Sequence, residues 1–325
     1  IANVSSPRFR LFQNLKATTV LTCALFVSSS NLRVVSGFAR NRVPPATFLR
    51  SSSQDYTLRR MTSTAKYANL EVAQFPCLDD NYGYLIHDPK TGDTAAVDTP
   101  DATTYQAELD KRGWKLSHIF NTHHHWDHTG GNLELKKGGA KVYGGASDAD
   151  RIPGIDVPLS PDDSVQFGGA EGKIIDVSGH TNGHIAFHFP TDGLVFVGDA
   201  LFSLGCGKMF EGTAPQFWAS LKRLRSLPDE TVVYCAHEYT TGNAKFAMSV
   251  EPENPDLVAR NEEILSKRKR GEPTVPSLLG EEKKTNPFLR GDVSAEIRKN
   301  VGATDDDTFD VVFGKIRSAK DRFRG

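Results

Sequence analysis

The chain has 325 residues, 38% hydrophobic and 24% charged, enough to bury the core of one large or two modest domains. Its formal net charge is −1, yet residues 1–65 hold nine Lys and Arg against Asp55 alone; 39 basic residues less nine leaves 30, and 40 acidic less one leaves 39. The acidic body argues against nucleic acid as a partner. Cys23, Cys77, Cys206 and Cys235 are far apart, which points to reduced thiols rather than a disulfide framework.

Residues 1–66 read as a targeting leader outside the fold. The apolar run "ATTVLTCALFV" (17–27) is too short to span a bilayer but suits the h-region of a secretory signal, with Arg8, Arg10 and Lys16 ahead of it. The basic, hydroxylated, acid-free stretch that follows is like a transit peptide. Such a leader implies an organelle matrix, plastid or mitochondrion, with Met61 able to start a cytosolic form; a tail without an address is the alternative. The mature protein is expected to have no membrane contact and to be a monomer.

From residue 68 short apolar strands alternate with turn chemistry. Strands are expected at 82–87 and 94–98, a helix at 101–113 and a strand at 116–122. Further strands are expected at 141–145, 164–169, 173–179, 184–190, 193–199 and 231–237, with helices at 130–137 and 214–227. Beyond residue 240 the pattern turns helical, at 241–250, 255–273 and 309–323, with a Pro-bounded loop before the last. This gives a catalytic domain over 67–240 and a helical substrate-binding domain over 241–325.

The chemistry concentrates in "NTHHHWDHTGG" (121–131), where a strand runs into a Gly-ended loop. His123 and His125 share one side of an extended segment, and Asp127 and His128 can reach a second position nearby, so one run can feed two cations. His180, Asp199 and His237 each follow an apolar strand and supply partners. His124 should point away from the ligands. Asp98 either orients a ligand histidine or caps the following helix.

The pattern H-x-H-x-D-H, a later His, G-D and a final His resembles the metallo-β-lactamase superfamily. The words "THHHWDH", "GDALF", "GCGK", "CAHEYT", "GEPTVPS" and "NPF" are closer still to the glyoxalase II (hydroxyacylglutathione hydrolase) family, from residue 68 to the C-terminus. The resemblance implies an α/β fold, an αββα sandwich with a small helical C-terminal domain. It implies that His123, His125 and His180 hold one metal, that Asp127, His128 and His237 hold a second, and that Asp199 bridges them. Zinc is expected, with iron or manganese as alternatives. Asp127 and Asp199 would be catalytic, and a hydroxide between the cations would attack the thioester of S-D-lactoylglutathione in the second step of methylglyoxal detoxification. Lys208, Tyr239, Arg317 and Lys320 would bind the glutathione portion. Phe210 stands where some family members have Tyr, so a hydroxyl contact is absent. A mono-iron persulfide dioxygenase and a non-catalytic metal-binding scaffold are the alternative readings.

Overall fold

The computed structural model describes residues 62–325, so most of the expected leader lies outside the described residues. The first sheet runs in the order β1 (Ser63–Lys66), β2 (Glu71–Cys77), β3 (Asn81–His87), β4 (Thr94–Val97), β5 (His118–Phe120), β6 (Lys141–Gly145) and β7 (Val157–Leu159). Its β1 to β4 are antiparallel neighbours, while β4 to β7 are parallel. The edge strand β1 falls inside the segment assigned to the leader on sequence.

The second sheet contains β8 (Ser164–Phe167), β9 (Ala170–Asp176), β10 (Ile185–Phe189) and β11 (Leu194–Gly198). After the small hairpin of β12 (Leu201–Phe202) and β13 (Gly205–Cys206) it is completed by β14 (Val232–Cys235) and β15 (Ser277–Leu278), giving the order β15-β14-β11-β10-β9-β8. Only the β11–β14 pair in it is parallel, and the helix Ala214–Arg225 lies between these strands in sequence.

Strand periodicity builds the layers. Along the first sheet Val72, Tyr82, Tyr84, Ile86, Val97 and Phe120 face the second sheet, whereas Ala73, Phe75, Leu85, Ala96 and Ile119 turn outward onto Tyr105 and Leu109 of the helix Ala102–Arg112. Both faces of these strands are therefore buried, as parallel strands between layers require. On the far side Phe217, Trp218, Leu221 and Leu224 form one stripe of the helix Ala214–Arg225, closing an αββα sandwich. Phe313 and Ile316 of the C-terminal helix Phe309–Arg322 join the same core, with Phe313 packed edge-on to Phe217. Each buried phenylalanine stabilises the fold by about 1.5–3 kcal/mol. A small satellite core of Leu204, Ala244, Ala247, Leu257 and Ile264 docks the helices Thr240–Val250 and Pro255–Lys269.

Gly83 lets the Phe75 ring lie across the neighbouring strand. It sits opposite Phe75, and a Cβ placed on it would lie 2.2 Å from that ring. Among the described residues no helix is long and apolar enough to cross a membrane. Cys77, Cys206 and Cys235 are free and buried.

Some segments differ from expectation. The stretch 130–137 is a broken series of short turns, with Asn132–Leu135 as its helical part. Leu279–Thr285 and Ala295–Asn300 are helices inside the stretch read as a Pro-bounded loop. Strand β2 was not anticipated because Pro76 and its run of buried residues hide any alternation. Strands β4, β5, β11 and β14 end along one edge of the sandwich, and the loops leaving them carry the polar motifs.

Candidate active site

The loop after β5 is fixed before any ligand arrives. Asn121 Nδ2 donates to the carbonyl of His128 at 2.9 Å, closing the His-rich run into a turn. Asp98, at φ 53°, occupies the left-handed region that costs a non-glycine residue about 1–2 kcal/mol. There its carboxylate accepts from the backbone N–H of Thr122 and from His128 Nδ1, each at 2.8 Å. Asp98 thus orients a histidine, while Asp101 caps the helix by accepting from the Thr104 N–H.

Three imidazoles converge at one position. His125 Nδ1 lies 3.0 Å from His123 Nε2 and 3.1 Å from His180 Nε2. Their protons are already assigned. Thr122 Oγ1 donates to Asp98 and so accepts from His123 Nδ1 at 3.1 Å, and His180 Nδ1 donates to the Lys208 carbonyl at 2.7 Å. Both Nε2 atoms therefore present lone pairs, and a single proton on His125 could satisfy only one of them. A cation satisfies all three.

The second set lies beside it. His128 Nε2 and His237 Nε2 are 3.5 and 3.4 Å from Asp127 Oδ2. Asp199 Oδ1 faces this set, 3.3 Å from His237 Nε2 and 3.5 Å from His128 Nε2, while its Oδ2 is 3.5 Å from His180 Nε2 in the first. One carboxylate therefore addresses both positions. His128 Nε2 and Asp199 Oδ1 are buried without a hydrogen-bond partner, which is what withheld metal-ligating atoms look like. The seven residues thus fit two cations, and among the described residues every side chain grouped with metal-ligand spacing is one of them.

The two sets differ in charge. Burial and the neighbouring histidines hold His123 well below its ordinary pKa, and burial with His180 brings His125 down to about 4. Both rings are thereby held neutral at pH 7, the form in which imidazole can bind a cation. In the second set burial opposes protonation of His237, but Asp199 and Asp127 outweigh it and push the ring up to about 10. Burial likewise acts to raise the carboxyls of Asp127 and Asp199, and the facing histidines drive both well below the usual range. Without cations this set holds protons that a metal must displace.

Lys208, Tyr239, Arg317 and Lys320 line a single cavity of about 460 Å³ with Phe202 and Cys206. Tyr239 stacks flat on the ligand His237, centroids 4.7 Å apart. Arg317 is buried rather than part of a solvated basic face; it donates to the Cys206 carbonyl at 2.9 Å and to Asp321 at 2.9 Å, while its Nε has no partner. Lys320 sits between the rings of Phe246 and Phe323. The exposed Phe210 ring stands over the first triad, 5.2 Å from His180 and 5.7 Å from His125. Gly207 makes the close approach possible, since a Cβ there would lie 2.1 Å from the Asp199 carbonyl.

Three supporting residues had weak sequence signals. His184, read only as a strand residue, precedes β10, stacks on His123 and accepts from the Asp199 N–H at 3.1 Å. Asp80 holds His237 Nδ1 at 2.9 Å across 157 residues. His124 turns away from the ligands to bond Asp148 at 2.8 Å.

Residues 81–237 match the metallo-β-lactamase superfamily model, and residues 238–323 match that of the hydroxyacylglutathione hydrolase C-terminus. A hydroxyacylglutathione hydrolase of Hyphomonas neptunium is 53% identical over 255 residues, spanning 78% of this chain and 98% of the relative. That of Methylococcus capsulatus is 53% identical over 257 residues, 79% of this chain and all of the relative. The chain belongs to the hydroxyacylglutathione hydrolase family. Its fold is also found in ETHE1 from Myxococcus xanthus (TM-score 0.52, 26% identity, 77% of this chain and 99% of that one). A metallo-β-lactamase from Staphylococcus aureus shares it as well (TM-score 0.54, 22% identity, 78% and 72%).

A hydroxyacylglutathione hydrolase is a thioester hydrolase, so the chain is an enzyme of that class with a metallo-β-lactamase fold. The expected organelle placement is corrected by the same relatives: they are bacterial proteins, from cells without plastids or mitochondria, and an organelle matrix is not supported.

Proposed function

We propose that this hydroxyacylglutathione hydrolase cleaves S-D-lactoylglutathione at a dinuclear centre, releasing glutathione and D-lactate as the second step of methylglyoxal detoxification. The observation that carries it is Asp199, whose two oxygens face two separate ligand sets. His123, His125 and His180 would hold one divalent cation, and Asp127, His128 and His237 the other, with zinc expected and iron or manganese as alternatives. Two divalent cations bound there acidify water from a pKa of ~16 toward ~7 and act as Lewis acids toward an acyl oxygen.

The chain's own residues do the rest. Asp127 and Asp199 supply the negative charge that holds two like-charged ions side by side. Asp98 and Asp80, on the far nitrogens of His128 and His237, fix the ring orientation and tautomer. Lys208, Arg317 and Lys320 present positive charge to an anionic tripeptide, and Tyr239 offers a hydroxyl on a ring locked against His237. Residues 67–240 carry the cations and residues 241–325 most of the substrate grip, in a chain acting as a monomer. The glutathione thiolate leaves readily and needs no strong acid.

Two ligand sets with a shared carboxylate support this reading over a mono-iron dioxygenase. The test is loss of thioester absorbance from S-D-lactoylglutathione by purified protein, with and without chelator, beside Asp199→Ala. The reading expects turnover that chelation abolishes and a variant low in both metal and rate. Oxygen uptake on glutathione persulfide with no thioester cleavage would overturn it.

A further inference from the structure

His124 lies between two ligand histidines and takes no part in either set, yet its ring is fixed. Its Nδ1 is 2.8 Å from Asp148 Oδ2, and Asp148 is wholly buried. The backbone has closed onto that carboxylate, because a Cβ on Gly183 would lie 2.2 Å from Asp148 Cγ. Asp148 also receives the Arg151 guanidinium. Arg151 reaches on with both terminal nitrogens to Glu211, at 2.5 and 3.2 Å, and Glu211 accepts from the Asn182 N–H at 2.8 Å.

This chain of contacts joins three loops: the ligand run, the loop bearing His180, and the segment 207–212 bearing Lys208, Phe210 and Glu211. The last two loops touch directly, through Phe210 N–H to the His180 carbonyl and Gly212 N–H to the Gly179 carbonyl, each at 3.2 Å. Those two bonds are long for backbone pairs. His180 Nδ1 holds the Lys208 carbonyl at 2.7 Å at one end of the segment, and the charge-assisted, two-pronged contact at Glu211 restrains its other end. Three residues upstream of Glu211, Lys208 enters the substrate cavity, and its ammonium lies 5.3 Å from the Phe210 ring centre.

We infer that Asp148, Arg151 and Glu211 form a clamp, anchored on His124, that sets the position of Lys208 and Phe210 above the first ligand triad. These are positioning residues, and the inference rests on the reading of Lys208 as a glutathione contact. Arg151 and Glu211 are partly exposed, and Glu211→Gln leaves the pair of Arg151 with buried Asp148 in place.

The test compares Glu211→Gln and Arg151→Ala, beside the charge-conserving Arg151→Lys, with Lys208→Ala as a reference, measuring metal content, kcat and KM on the metal-loaded protein. For S-D-lactoylglutathione Glu211→Gln and Arg151→Ala should raise KM about tenfold, the scale of one lost charged hydrogen bond. Metal content and kcat should stay within about twofold in Glu211→Gln, and Arg151→Lys should recover part of the KM lost in Arg151→Ala. With the lactoyl thioester of N-acetylcysteamine, which lacks the tripeptide charges, the same variants should match the parent. Unchanged KM in Glu211→Gln and Arg151→Ala while Lys208→Ala raises it overturns the clamp alone, as does an equal loss on both substrates. Unchanged KM in Lys208→Ala overturns the glutathione reading itself and the clamp's purpose with it.

Discussion

Asp98 Oδ2 lies 2.8 Å from His128 Nδ1, and the backbone of Asp98 takes a left-handed conformation to put it there. The aspartate stands 30 residues from the ring it holds, so the contact is a product of the fold. It keeps a proton on Nδ1 and turns Nε2 toward Asp127 and Asp199.

Asp98→Asn keeps the shape of that contact but brings an amide that can donate where a carboxylate could only accept. The expected outcome is a loss of about 10–100-fold in metal affinity or turnover, the usual scale for such outer partners. Elemental analysis after dialysis against a weak chelator, alongside thioester turnover, measures it. A variant with parental metal content and rate would show the contact to be dispensable.

Removing the cations should expose a pH dependence that the loaded enzyme lacks. In the metal-free site the carboxylates of Asp199 and Asp127 overcome burial and push His237 up to about 10, above its unfolded value near 6.5. A raised folded pKa means that the stabilisation is complete below about pH 6.5 and is lost as pH rises through about 10. Chelated protein should therefore melt at falling temperature from pH 7 to pH 10, while loaded protein, in which His237 Nε2 carries no proton to lose, should not share this decline. Zinc added to chelated protein at neutral pH should also release protons into a weak buffer. If no protons are released, His237 was already neutral and the charge assignment fails.

The candidate ligands were legible as a group because the chemistry of a metal site is written in residue type. Four histidines and an aspartate within six positions have no use in a core, and His180, Asp199 and His237 each leave an apolar strand with nothing local to cap. The outer partners could not be read in the same way. Asp80 is 157 residues from His237, and nothing in "LDDNY" separates it from Asp79 as the one that bonds the ring. His184 is four residues beyond His180 in a Gly-flanked loop, which was a usable signal, but its bond to the Asp199 N–H depends on the pairing of β10 with β11. The outer helices Leu279–Thr285 and Ala295–Asn300 were hidden by their shortness, since neither is long enough to show an apolar face.

Gly83→Ala tests the packing between the first sheet and its outer helix. The added methyl would fall 2.2 Å from the Phe75 ring, which is itself packed edge-on to Tyr105 with centroids 5.0 Å apart and has no free side to move into. Overpacking of this kind costs about 1–3 kcal/mol. Urea denaturation should show a lower midpoint with an unchanged slope, and turnover per folded molecule should be preserved. An unshifted midpoint would mean that the ring relocates at no cost.

Lys320 provides a pH limit on substrate binding. Burial first, then the nearby Arg317, brings its ammonium down to about 8, so it stops being a cation within a range the enzyme can be assayed in. Above that value each further pH unit lowers the charged fraction about tenfold. The KM for S-D-lactoylglutathione should therefore climb by roughly an order of magnitude between pH 7 and pH 9, with kcat, which depends on the two histidine and aspartate sets, following a separate curve. Lys320→Arg keeps its charge throughout and should flatten the rise. A KM that climbs equally in that variant would move the titrating group elsewhere, and one flat in the parent would remove Lys320 from the anion contacts.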